Sequence, residues 1–268
     1  YPYTKSMNSI LAVDMGASVV MTTVGKARAL SIDSSQWIYL RGGVDLNDIW
    51  HISERPGLHE SPAIRLGWSK LSEATGVDID EVTDFDLYSC FPCAVQVTCN
   101  EIGLSAQDRR GVTVTGGLPY MGGPGNNYSL HGIAEMTARL RKRDKGFGLV
   151  TANGLYLTKH SLGLYSTEPA DSQWVTVNSD SLQKQIDDLP CLSLAADPVG
   201  TAIVEAFTVA FDRHGPKTGI VIAKNLTGER ILAYTRADAD TLNHLLEEDP
   251  VGRSGQVSVE DGINILDF

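Results

Sequence analysis

Apolar residues crowd the stretch from Met7 to about Leu30, where Ala, Val and Met fall on nearly every face of a helical projection. That pattern predicts a helix buried within a layered domain. Trp37 to Leu40 is a short β-prone run stopped by Gly42 and Gly43. Ser61-Pro62 suits the N-cap and first position of a helix running to about Ala74, which Gly76 ends. Phe85 to Cys90 is predicted as a second strand and Pro92 to Glu101 as a helix ending near Gly103. Val112 to Thr115 is predicted as a third strand, followed by a glycine-rich loop from Gly116 to Gly125. A helix from Tyr128 to Arg143 then carries Ile133, Met136 and Leu140 at helical spacing, and Arg139, Arg141, Lys142 and Arg143 read as its solvated basic end. Gly146 to Ala152 and Leu155 to Tyr165 close the pattern as two strands with a turn at Asn153-Gly154. The expectation for residues 1–170 is an α/β domain with a five-stranded mixed sheet covered by helices.

After Ser166-Thr167-Glu168-Pro169 the pattern changes to strand-like runs at Thr201 to Asp212, Thr218 to Lys224 and Arg230 to Thr235. A short helix near Asp238 and a strand near Gln256 to Val259 follow. Residues 171–268 are thus predicted as a small, mostly β domain, with the boundary between Glu168 and Leu182.

Charge sharpens that division. Of a net −11, residues 171–268 contribute −9. An acidic tail repels a phosphate backbone, and no basic stripe with interleaved aromatics occurs elsewhere, so nucleic acid is not expected as a partner. No apolar run reaches the length of a membrane span and the first residues lack a signal-peptide pattern, so the chain is expected in the cytoplasm. Cys90, Cys93, Cys99 and Cys191 are read as free thiols: the Cys90-x-x-Cys93 pair has no second pair to complete a zinc site, and no metal is expected.

Five motifs fall in one order. They are Tyr3-Thr4-Lys5 through Gly16-Ala17, Tyr88-Ser89-Cys90-Phe91, Gly116-Gly117 through Gly122-Gly123-Pro124, Asn126-Asn127-Tyr128 with His131, and Ala152-Asn153-Gly154 leading into Thr158-Lys159-His160. The first three and Ala152-Asn153-Gly154 resemble, in order and spacing, the C-terminal half of the thiolase superfamily, and Asn126-Asn127-Tyr128 with His131 and Thr158-Lys159-His160 carry a nearer resemblance. The nearer resemblance is to a thiolase-like subgroup, related to the sterol-carrier type and loosely described as acetyl-CoA acetyltransferases, that carries an added C-terminal domain. The resemblance implies a thiolase-type sheet and acyl-group transfer on a coenzyme A thioester, which would be substrate or ligand with no permanently bound cofactor.

A thiolase makes or breaks a carbon–carbon bond through a cysteine acyl-enzyme, a second cysteine as acid/base, and oxyanion holes. By the resemblance, Ala152 stands at the acid/base cysteine, Gly123 at the oxyanion-hole histidine and Tyr88 at the water-holding Asn or His. Gly154 alone is carried over, as a backbone oxyanion donor. The nucleophilic cysteine belongs to the family's first half, so an N-terminal thiolase half or a partner chain is implied. Substitutes for the missing groups are His131, in the helix after the glycine loop, as acid/base or as a packing residue, and His160, which shares a strand face with Thr158, as site or structural histidine. Cys90 is read as a site thiol or a buried small hydrophobe. Gly122, Gly123, Gly125 and Asn127 are candidates for holding a ligand anion on backbone N–H groups, or else for a closely packed turn. Two functions are carried forward. One is the C-terminal part of an acetyl-CoA acetyltransferase-type enzyme, inactive as this chain alone; the other is a non-catalytic thiolase fold that binds CoA thioesters or a protein partner.

Overall fold

The computed structural model describes residues 1–170 and 177–268. Two compact units result: Lys5–Asp48 with His59–Leu189, and Tyr1–Thr4 with Ile49–Leu58 and Pro190–Phe268.

The first unit runs α1 (Val24–Ala29), β1 (Tyr39–Asn47), α2 (Pro62–Thr75), β2 (Val82–Asp86), α3 (Pro92–Ile102), α4 (Leu118–Met121), α5 (Tyr128–Leu140), β3 (Phe147–Gly154), β4 (Lys159–Ser166) and α6 (Ser179–Asp187). Its sheet has the order β1-β4-β3-β2, with β2 and β3 parallel and the other pairs antiparallel. Successive strand residues point to opposite faces. Leu149, Leu162 and Leu164 therefore pack with α2, α3 and α6 around Leu71, Cys99 and Ile186, while Val150 packs with Met136 and Leu140 of α5. Leu71 and Leu164 are fully buried, each worth roughly 1.5–3 kcal/mol relative to exposure.

Local chemistry set several of these elements as expected. The Ser61 hydroxyl accepts the Ile64 N–H, Pro62 opens α2, and Gly76 ends it in the left-handed region. Gly103 closes α3 in the same way.

Six expectations change. Residues 7–30 do not form a long buried helix. Only α1 is α-helical there, and Leu11, Val20 and Met21 are 76%, 95% and 77% exposed. A chain apolar on every face becomes a helix only where it is covered on every side, and the described residues do not supply that cover. Gly42 and Gly43 do not stop β1 but sit inside it: a Cβ on Gly42 would lie 2.7 Å from Leu71 Cδ1, so the glycine lets α2 approach the sheet closely. The sheet has four strands, since Val112 to Thr115 forms no ladder. Val112 O accepts from Leu87 N–H, and the N–H groups of Val114 and Thr115 turn to the Asp86 carboxylate. The hairpin turn lies at residues 155–158, because Asn153 and Gly154 still pair with His160 and Lys159. The basic end of α5 is not merely solvated: Arg139 and Arg143 reach the buried Asp84 carboxylate at 3.1 and 2.5 Å. Finally, the units divide after Leu189, later than the expected boundary, because Leu182 and Ile186 of α6 bury in the first unit's core and Gln183 bonds both backbone groups of Asn47. Part of the expected boundary, residues 171–176, lies outside the described residues.

The second unit contains β5 (Gly200–Asp212), β6 (Gly215–Asn225), β7 (Arg230–Thr235), α7 (Ala239–Glu247), β8 (Ser254–Glu260) and β9 (Ile263–Asp267). The strands close as a barrel in the order β5-β6-β7-β9-β8, with β7 parallel to β9. Closure leaves no open edge. The barrel interior holds Val204, Val221, Ala223, Ile231 and Leu266. Leu242 and Leu245 of α7 pack against Val209.

Candidate functional site

In the first unit, the ends of β1, β3 and β4, the loop after β2 and the glycine-rich loop enclose an open cleft of about 870 Å³. It brings together residues widely separated in sequence: Tyr88, Cys90, Gly123, Ala152, Gly154 and His160. The positions that the resemblance matches to thiolase site residues, Tyr88, Gly123 and Ala152, thus border one cleft. Gly125 also borders the cleft, whereas His131, Gly122 and Asn127 are not among its lining residues.

Each position has a structural reason. A Cβ on Gly123 would project into Ser9 Oγ, so the serine fills the room that a side chain there needs. Tyr88 is half-buried, its ring edge-on to Tyr128 at 5.4 Å and its N–H held by Thr151 Oγ1 at 2.8 Å. Burial, with a smaller contribution from Cys90, raises the Tyr88 pKa, so the phenol stays neutral and can donate. Burial also pushes the Cys90 thiol up, despite the Asn153 amide that reaches its Sγ at 3.6 Å. A thiol held protonated is a poor nucleophile.

The glycine loop is already satisfied by its surroundings. Gly122 N–H donates to Leu118 O, Gly123 N–H to Ile10 O and Gly125 N–H to Gly123 O, at 3.2, 2.8 and 2.8 Å. These groups are not left pointing outward for an anion, and the hydrogen bonds fit the other sequence reading of this stretch, a closely packed turn. A Cβ on Gly122 would run into Val13, which accounts for that glycine by packing. The Asn127 amide reaches Met15 O and His131 Nε2, and His131 is buried in α5 as the partner of that amide.

His160 has a different setting. Its Nε2 lies 3.2 Å from Asp48 Oδ2, with both side chains almost wholly buried. Asp48 Oδ2 also accepts the Ser61 hydroxyl at 2.5 Å, and Oδ1 accepts the Ala63 N–H at 2.9 Å, so the carboxylate sits on the N-terminus of α2. In the sequence Asp48 was not singled out, and Ser61 was read only as a helix cap. The Asp at the end of β1 and the Ser capping α2 carry no spacing signal toward His160. Two polar atoms on the cleft wall, Ser9 Oγ and Asn153 Oδ1, are buried without a hydrogen-bond partner among the described residues. Unsatisfied polar atoms of that kind are uncommon and call for an explanation, such as a bound ligand.

The comparisons with known proteins agree with this architecture. Residues 181–262 match the family model described as the thiolase-like protein type 1 additional C-terminal domain. A monomeric SCP2-thiolase like protein type 1 from Mycobacterium smegmatis is 40% identical, with a TM-score of 0.83 over 91% of this chain and 53% of that one. The chain spans about half the length of that relative. An acetyl-CoA acetyltransferase from Syntrophomonas wolfei aligns with 14% identity and a TM-score of 0.41 over 55% of this chain and 35% of that one, too distant to carry an argument. No curated protein matches. Fold and cleft define a thiolase-like protein. More particularly, the chain has the fold of an SCP2-thiolase-like protein and carries the additional C-terminal domain of the type 1 thiolase-like family. Among the described residues, no helix is long and apolar enough to cross a membrane.

Proposed function

We propose that the cleft holds a coenzyme A thioester without performing the thiolase reaction. The observation that carries this reading is the convergence of Tyr88, Gly123 and Ala152 on one cleft in which none supplies the thiolase acid/base or oxyanion side chain. Ala152 has nothing to titrate, and the space beside Gly123 belongs to Ser9. The remaining cleft still suits a ligand: it is large, has an apolar rim at Leu11, Phe91 and Leu118, and offers the polar atoms Ser9 Oγ and Asn153 Oδ1. Lys159, which borders it, is a cation for an acidic portion of the ligand.

The apolar, exposed residues Leu11, Val20 and Met21 support a second element of this reading: an N-terminal thiolase half, or a partner chain taking its place, covers the segment. The acetyl-CoA acetyltransferase activity expected by family resemblance is not favoured, since the cleft lacks two of its catalytic groups. Titration of the purified chain with acetyl-CoA, followed by calorimetry, tests the proposal. Saturable binding weakened by Lys159→Glu is the expected result; heats no different from dilution would refute it.

A further inference from the structure

Among the ionisable groups that border the cleft, His160 has a buried carboxylate as its partner. His160 stands directly across from Asn153 in the β3–β4 ladder, so the two side chains share the sheet face turned toward α2 and α3. Ala152, one residue earlier, faces the opposite side. His160 therefore does not occupy the position of the absent cysteine; it is a separate group reaching the same cleft.

Three anchors fix the carboxylate behind it. Ser61 O–H and Ala63 N–H donate to Asp48 as described, and the Asp48 N–H donates to Thr158 O at 2.8 Å, tying the acid to the turn that precedes His160. With Nε2–H donating to Asp48 Oδ2, Nδ1 is the ring nitrogen left over, and it has no hydrogen-bond partner among the described residues. A carboxylate on one ring nitrogen fixes the tautomer and the ring's orientation and leaves the other nitrogen to take a proton. A purely structural histidine needs only its partner; this one also borders a cleft of about 870 Å³.

We infer that His160 is a proton-transferring residue of the cleft, with Asp48 as its positioning residue, acting on an acyl thioester that carries an α-hydrogen. This rests on the thioester reading above. In the step, the Cα–H bond breaks, its electron pair enters the enolate spread onto the thioester oxygen, and the proton bonds to His160 Nδ1. The imidazolium faces the Asp48 carboxylate. Reversal returns a proton to Cα, so the balance needs no oxidant or second substrate. In the absence of an acyl-accepting cysteine the outcome is exchange at Cα without carbon–carbon bond formation.

The experiment incubates the chain with acetyl-CoA in D₂O and follows loss of the acetyl methyl proton signal by NMR, with binding measured separately by calorimetry. Exchange above the buffer rate is expected, falling at least about tenfold in His160→Gln. Asp48→Asn retains an acceptor for the Ala63 N–H and is expected to lower the exchange rate at saturation by a similar factor while leaving acetyl-CoA affinity unchanged, a split that a merely structural role would not produce. A chain that binds acetyl-CoA but shows no exchange overturns this inference alone. A chain that binds none overturns the thioester reading and the inference with it. Exchange that persists in both folded variants also overturns it.

Discussion

Ser9 Oγ occupies the space into which a Cβ on Gly123 would project. A serine far upstream thus decides which side chains the glycine-rich loop can carry at this position.

Gly123→Ala is accordingly expected to destabilise the chain by about 1–3 kcal/mol through overpacking. Ser9→Gly should remove most of that cost when combined with it. Urea denaturation of the two single variants and the double variant gives the coupling; additive effects would contradict the contact.

Asp86 sits fully buried beneath the loop that was expected to be a strand. Its Oδ1 accepts from the hydroxyls of Thr113 and Thr115 and the N–H groups of Val114 and Thr115, while Oδ2 has no partner among the described residues. Burial raises its pKa, against the lowering effect of those donors. A raised folded value means that the stability Asp86 contributes is fully present below its unfolded value of about 3.9 and is lost as pH rises through the folded value. Asp86→Asn cannot titrate, so its stability relative to the wild-type chain should grow as pH rises from about 4 and level off above the folded pKa. Thermal melts across that range check it; a difference that shrank with rising pH would show that the carboxylate is favoured as an anion.

What the sequence made legible was local. Ser61-Pro62, Gly76 and Gly103 mark helix ends by capping chemistry that acts within a few residues, and the apolar alternation of Leu162 and Leu164 marks the buried face of β4. The convergence of Tyr88, Gly123 and Ala152 was reachable only through family resemblance. Long-range partners were not readable. Thr113 to Thr115 looks like a strand because its competing acceptor, Asp86, is a side chain on another element. His160 stood out as a histidine, but Asp48 and Ser61 look like an ordinary strand end and helix cap until the fold joins them. The segment from residue 7 to 30 misled because apolarity on all faces reports a need for cover, not the presence of it.

The hairpin turn carries two leucines, Leu155 and Leu157, at φ 56° and 52°, the left-handed region that costs a β-carbon roughly 1–2 kcal/mol. Leu155 is more than half exposed and makes the cleaner test. Leu155→Gly is expected to raise stability by up to about 1 kcal/mol, the relief of strain offset in part by the greater freedom of the unfolded chain. A lower urea midpoint would mean that the Leu155 side chain contributes more contact than its exposure suggests.

In the barrel unit, Arg230 is fully buried. Its guanidinium donates to Glu205 at 2.8 Å and to the carbonyls of Ile52, Ser53 and Arg55 at 3.3, 3.0 and 2.7 Å, binding residues 52–55 to β7. Arg230→Met leaves those acceptors unsatisfied and should cost about 3–5 kcal/mol. Arg230→Lys keeps the charge but not the planar fork and should recover only part of it. Hydrogen exchange at the Arg55 and Leu192 amides reports the same event locally, and unchanged protection in Arg230→Met would count against the role assigned to Arg230.

A cleft that accepts a thioester but lacks thiolase chemistry should bind acetoacetyl-CoA without cleaving it. The most direct test is a thiolysis assay with acetoacetyl-CoA and free CoA on the purified chain, run beside a binding titration with the same thioester. Saturable binding is expected, with no CoA-dependent loss of acetoacetyl-CoA above the buffer rate. CoA-dependent cleavage that saturates with enzyme-like kinetics would contradict it.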